Sequence, residues 1–234
     1  MSAIAREERL IVALDVADAG EARALVERLG DSVRFYKAGL ELAMAGGYFE
    51  LIEWLVGRGN KVFADLKLFD IPETVSRAVA NLRGRGIHFV TVHGNQAMMQ
   101  AAAREKGDLR ILAVTALTSL DRGDLDDLGF SCDLERLVLS RARRAMEAGC
   151  DGVISSGLEA ARLKAEFRER LLVVTPGIRP VDNKSDDQKR TVDAAQAFAA
   201  GADYIVVGRP IRQAADPRAA AQAIQRTIAT IFPR

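Results

Sequence analysis

Two carboxylates and an ammonium fall within six positions in the run Asp65-Leu66-Lys67-Leu68-Phe69-Asp70-Ile71-Pro72, directly after the apolar Val62-Phe63-Ala64. In an extended strand, alternate side chains share a face, which puts Asp65 and Lys67 together. Asp70 then lies beyond the strand, in the turn before a helix that Pro72 can open. Charges are costly inside a fold unless they are paired. A D-x-K-x-x-D cluster at a strand's end therefore reads as a built electrostatic site; a surface turn with an incidental ion pair is the plainer alternative. With Lys37, the charges alternate in sign: Lys37, Asp65, Lys67, Asp70. Such a ring suits either stress on an anionic substrate group or delivery of a proton to a carbanion. Asp65 and Asp70 could also hold a divalent cation, but Lys67 between them competes for the same oxygens, so no metal is expected.

Residues so placed need a scaffold that brings distant strand ends together. Short runs rich in Val, Ile and Leu recur at 10–15, 33–38, 61–66, 88–93, 110–115, 152–155, 171–175 and 204–207, separated by longer amphipathic stretches. Continuous apolar strands covered on both faces are the mark of a parallel sheet with helices outside. Asp18 with Glu21 resembles a capping box and Gly30 a helix stop. Residues 45–56 read as one helix with Phe49, Ile52 and Val56 on its apolar stripe. Asp216-Pro217 opens a last helix toward Ile228. Eight strand–helix units in 234 residues predict a single-domain α/β protein, a (β/α)₈ TIM barrel spanning 1–234. An open doubly wound sheet is the runner-up. It usually carries a glycine-rich turn after its first strand, and Leu14-Asp15-Val16-Ala17 has none. The long excursion at 116–133 reads as a substrate-covering loop.

In a barrel, chemistry gathers where strands end. Those ends supply Asp15, Lys37, Asp65 with Lys67, His93, and Thr115 with Thr118. The last two turns read Thr175-Pro176-Gly177-Ile178-Arg179-Pro180 and Gly208-Arg209-Pro210. Barrels often hold a phosphate between the loops after strands seven and eight. Glycines let backbone N–H groups approach an anion, and arginines add fork-shaped donors. His88 and His93 bracket strand four and read as structural residues, Tyr48 and Trp54 as packing residues.

The balance of +1 gives no reason to expect nucleic acid or a membrane surface as partner. Cys132 and Cys150 form no metal-ligand spacing and read as reduced thiols. The first nine residues lack the apolar core of a signal peptide, and no apolar run is long enough to span a bilayer, so a soluble cytoplasmic protein is expected.

Taken in order, Ala13-Leu14-Asp15, Tyr36-Lys37, the stretch Asp65 to Thr74, Val114 to Ser119, Val174 to Pro180, Asp187 to Arg190 and Val207 to Ile211 resemble the orotidine 5′-phosphate decarboxylase family along the whole chain. The resemblance implies decarboxylation of orotidine 5′-phosphate to UMP in pyrimidine biosynthesis, without metal or cofactor, in a homodimer. It implies that Lys67 protonates C6, that Asp65 sits beside the departing carboxylate, and that Lys37 pairs with Asp65 and contacts the ribose. Asp70 and Thr74 would reach into the neighbouring subunit's site, Asp15 would bind a ribose hydroxyl and Thr118 the pyrimidine edge. Arg179, Gln188, Gly208 and Arg209 would hold the phosphate, with 181–190 as a lid. Phe69 and Glu73 depart from the family's frequent histidine and asparagine; altered loop packing or interface contacts are expected there. The competing readings are a Mg²⁺-dependent sugar-phosphate decarboxylase or aldolase on a related barrel, and a non-catalytic UMP-binding barrel.

Overall fold

The computed structural model describes residues 4–93, 95–179 and 191–233. Eight parallel strands close into a barrel in sequence order: β1 Leu10–Ala13, β2 Phe35–Gly39, β3 Lys61–Leu68, β4 Ile87–His93, β5 Arg110–Val114, β6 Gly152–Ile154, β7 Leu172–Thr175 and β8 Tyr204–Val207, with β8 paired to β1. The helices around it are α1 Ala19–Leu29, α2 Leu40–Ala45, α3 Tyr48–Gly57, α4 Pro72–Leu82, α5 Gln96–Glu105, α6 Arg122–Asp127, α7 Leu134–Glu147, α8 Gly157–Phe167, α9 Ala194–Ala199, α10 Arg209–Arg212 and α11 Pro217–Ile231. The predicted barrel is therefore observed.

Period-two alternation splits the strands between two cores. Ile11, Ala13, Phe35, Phe63, Phe89, Leu112, Val114, Leu172, Val174, Tyr204 and Val206 fill the barrel interior. The intervening residues, among them Leu10, Val12, Tyr36, Val62, Val90 and Val207, pack outward against the helices. The rings of Phe35, Phe63, Phe89 and Tyr204 meet edge-on or tilted at centroid distances of 5.2–5.9 Å and plug the interior below the site. Continuing the inward set toward the C-terminal ends leads, two residues at a time, to Asp15, Lys37, Asp65, Thr91 and Gly208. The polar residues that end the strands are thus the last members of the inward-facing set.

Several local expectations hold. Asp18 accepts from the Gly20 and Glu21 N–H groups to cap α1, although Glu21 reaches back to Ala17 and not to Asp18. Gly30, at φ 56°, ends α1. Pro72 opens α4, and Asp216 caps α11, which continues past Ile228 to Ile231.

The helix read over 45–56 is corrected. Gly46 and Gly47, at φ 84° and 68°, separate α2 from α3, because successive left-handed residues cannot continue a right-handed helix. The buried face of α3 is Tyr48, Leu51, Ile52 and Leu55, while Phe49 stays partly exposed. Tyr48 is a packing residue as read, with its hydroxyl donating to the Ala38 carbonyl at 3.1 Å. No helix among the described residues is long and apolar enough to cross a membrane.

Candidate active site

A cavity of about 370 Å³ opens at the C-terminal ends of the strands. Of the residues singled out from sequence, Asp15, Lys37, Asp65, Lys67, Thr118, Arg179, Gly208 and Arg209 line it. Their backbone positions span residue 15 to residue 209, so only closure of the barrel brings them together.

At the centre is Asp65, 7% exposed. Its Oδ2 receives Lys67 Nζ at 2.9 Å and faces Lys37 Nζ at 3.4 Å. Its Oδ1 accepts from the Thr91 hydroxyl at 2.8 Å. Lys37 lies closer to Asp15, at 2.8 Å, so the pairing expected between Lys37 and Asp65 is shared with a second carboxylate. Burial works against both inner charges, and the neighbours outweigh it. Burial alone raises the pKa of Asp65 and lowers that of Lys37; Lys37 and Lys67 nevertheless hold the Asp65 carboxyl below its usual value, and Asp65 with Asp15 holds the Lys37 ammonium above its own.

Regular alternation places Asp65 but does not by itself place Lys67. The ladder between β3 and β4 pairs Ala64 with Val90 and next Leu68 with Val92. Three residues of β3, Asp65 to Lys67, therefore face Thr91 alone, a bulge of the kind found beside active sites. Lys67 takes φ 47° within it, a left-handed conformation rare for a residue with a side chain. Its backbone N–H donates to Thr91 Oγ1 at 3.0 Å.

Asp70 and Thr74 are exposed and do not line this cavity. Asp70 accepts from the Ile71 N–H at 2.7 Å, flanked by Phe69 and Ile71, which are 68% and 67% exposed. Glu73 pairs with Arg77 at 2.9 Å on the exposed face of α4, and the Phe69 ring meets His93 edge-on at 5.8 Å.

The corner expected to hold a phosphate is formed by the turn after β7 and the start of α10. Gly177 takes φ 76°, and Arg179 is buried, with its N–H donating to the Val192 carbonyl at 3.0 Å. Gly208 precedes Arg209 and Pro210 at the first turn of α10, and a Cβ at Gly208 would lie 3.6 Å from Asp15 Oδ2. Gln188 and the expected lid at 181–190 lie outside the described residues.

The expected covering loop runs from β5 to α7 and contains α6; its first residues, Ala116 to Ser119, form one wall of the cavity. Arg141 of α7 fastens that wall by donating to the Thr115 carbonyl at 2.6 Å.

Sequence reasoning missed Thr91 and Arg212, and gave Ser119 and Pro176, quoted within longer motifs, no role of their own. For Thr91 the signal was present: counting by two from Phe89 places it inward, one step before the strand's end. His88 lies low in the barrel against Phe35 and Phe89, its pKa pushed down to about 4 mainly by burial. Burial, with Arg141 and Lys67, also lowers His93.

This is a (β/α)₈ barrel whose interior ends in an interlocked cluster of carboxylates and ammonium groups beside a corner that carries Arg179 and Arg209. Residues 8–224 match the family model described as "Orotidine 5'-phosphate decarboxylase / HUMPS family". A protein of Methylococcus capsulatus named orotidine 5′-phosphate decarboxylase is 64% identical over 226 residues, covering 96% of this chain and 93% of its own length. A protein of the same name from Stenotrophomonas maltophilia is 51% identical over 96% of this chain and 94% of its own. The crystal structure of orotidine 5′-phosphate decarboxylase from Lactobacillus acidophilus superposes with a TM-score of 0.84 at 36% identity, covering 94% of this chain and 99% of that one. The chain belongs to the orotidine 5′-phosphate decarboxylase / HUMPS family.

Proposed function

We propose that this chain converts orotidine 5′-phosphate to UMP and CO₂ without a metal or organic cofactor. The observation that carries the reading is the contact of Lys67 with the buried Asp65 carboxylate at the floor of the cavity. In the reaction, the bond between C6 and the carboxyl carbon breaks and its electron pair stays on C6. The Lys67 ammonium gives C6 a proton, and the resulting amine is reprotonated from solvent. Asp65 lies where a substrate carboxylate beside it would meet like charge, and that stress is relieved only as CO₂ departs. Lys37 and Lys67 supply fixed positive charge where the carbanion forms.

Asp15 and Lys37 are assigned to the ribose hydroxyls and Thr118 to the pyrimidine edge. Arg179, Arg209 and the Gly208 backbone are assigned to the phosphate, with Gln188 joining them from outside the described residues. Binding energy from that remote anion then holds the pyrimidine against Asp65.

The metal-dependent alternative is disfavoured by the donors. Both Asp65 oxygens are engaged by lysines and Thr91, and no group of three or more His, Cys, Asp or Glu side chains that could hold a metal gathers among the described residues. The decisive assay follows loss of orotidine 5′-phosphate absorbance with dilute, EDTA-dialysed protein. Turnover is expected; binding without turnover points to a sensor, and turnover only with added Mg²⁺ points to the metal-dependent sibling.

The working unit is assigned as a homodimer in the cytoplasm, with Asp70 and Thr74 entering the partner's cavity. Their exposure outside this chain's own cavity, with Phe69 and Ile71 uncovered on either side of Asp70, supports that assignment. Mixing Asp70→Asn chains with Lys67→Ala chains, each expected to be nearly inactive, should restore activity. Each hybrid dimer would contain one site with an intact Lys67 and an intact partner Asp70. No recovery on mixing would place Asp70 in its own chain's chemistry or in none.

A further inference from the structure

Thr91 is fully buried on the inward face of β4 and carries a hydroxyl that touches both members of the acid–base pair. An ionised carboxylate can only accept, so the one hydroxyl proton of Thr91 points to Asp65 Oδ1. The lone pairs left over accept the Lys67 N–H. Both bonds thus have a fixed direction. The carboxylate is held from two sides, with Thr91 on Oδ1 and the lysines on Oδ2. The second bond falls at the bulge, where the regular ladder to β4 is interrupted and where Lys67 adopts its left-handed backbone. Such a conformation persists only when its surroundings over-determine it.

We propose that Thr91 is a positioning residue for the decarboxylation, its hydroxyl setting the orientation of the Asp65 carboxylate and, through the main chain, the aim of the Lys67 ammonium. This inference rests on the roles given above to Asp65 and Lys67. Thr91 itself does not line the cavity, so it acts through those two side chains. Its loss should therefore fall on turnover more than on substrate capture.

The test compares Thr91→Val, which keeps the shape and deletes the hydroxyl, with Thr91→Ser, which keeps the hydroxyl. Thr91→Val is expected to lower kcat by between about tenfold and a hundredfold, the value of one hydrogen bond to a charged group, with KM within about threefold of wild type. Thr91→Ser should recover most of the loss. If the valine variant folds poorly, Thr91→Ala against Thr91→Ser makes the same comparison.

A readout independent of turnover is the Asp65 carboxyl titration followed by ¹³C NMR. Asp65 is surrounded by Lys37 and Lys67, by Asp15 beyond Lys37, and by Tyr48, whose own titration is raised by burial and by Asp65. Those groups are unchanged in the variants. Losing the Thr91 bond removes one stabiliser of the carboxylate, so its titration should move up in Thr91→Val and stay near wild type in Thr91→Ser. Wild-type kcat in the hydroxyl-free variants, equal impairment of serine and valine variants, or an unmoved Asp65 titration would each overturn the proposal. An inactive wild type would instead count against the decarboxylase reading, and the titration would still decide whether Thr91 governs Asp65.

Discussion

Lys67→Ala is expected to lower turnover of orotidine 5′-phosphate by about 10⁴-fold or more, the upper range for a positioned general acid, while UMP still binds. Lys67 meets the buried Asp65 at 2.9 Å and lines the cavity; in the proposed reaction it is both the proton donor and the nearest fixed cation to the developing carbanion. Alanine removes both at once, and no other ammonium replaces it: Lys37, 3.4 Å from Asp65, is also tied to Asp15 at 2.8 Å. UMP carries no carboxylate at C6 and feels neither the stress nor its relief, so its affinity, read by calorimetry, should change by no more than about tenfold. Lys37 remains to neutralise Asp65, which keeps the variant folded. Near-wild-type turnover would remove Lys67 from the role of acid; loss of UMP binding in step with turnover would make it a binding residue.

Arg209→Ala should act at the other end of the substrate. Arg209 stands at the first turn of α10, directly after Gly208, and lines the cavity beside Arg179. A guanidinium offers a phosphate paired, charge-assisted donors, and losing them is expected to lower kcat/KM for orotidine 5′-phosphate by about a hundredfold, chiefly through KM. Orotidine, which lacks the phosphate, should be turned over equally slowly by the variant and by wild type. The comparison separates an anion contact from a general effect on the fold, because a misfolded site would lose both substrates in proportion. Equal loss on the two would take Arg209 out of the phosphate corner.

The two predictions also divide by how they could have been reached. That Arg209 lines one cavity with Arg179 was legible in the chain, since Gly208-Arg209-Pro210 follows the eighth apolar run and Gly177 with Arg179 follows the seventh. That Lys37 sits nearer Asp15 than Asp65, and that Thr91 ties Asp65 to the Lys67 backbone, were not. The helix misread across Gly46 and Gly47 has a simpler cause: the apolar period was followed through two residues whose left-handed backbone ends it.

By itself the sequence determined the eight-fold alternation, the inward set of side chains and the kinds of group that finish each strand. These follow from local periodicity and residue chemistry, which any stretch of chain carries within itself. Only the tertiary structure decided which charges touch. Contacts between residues 15, 37, 65 and 91 depend on barrel closure and on a bulge that sets three residues of one strand against one of the next, and such cross-strand register is a property of two strands together.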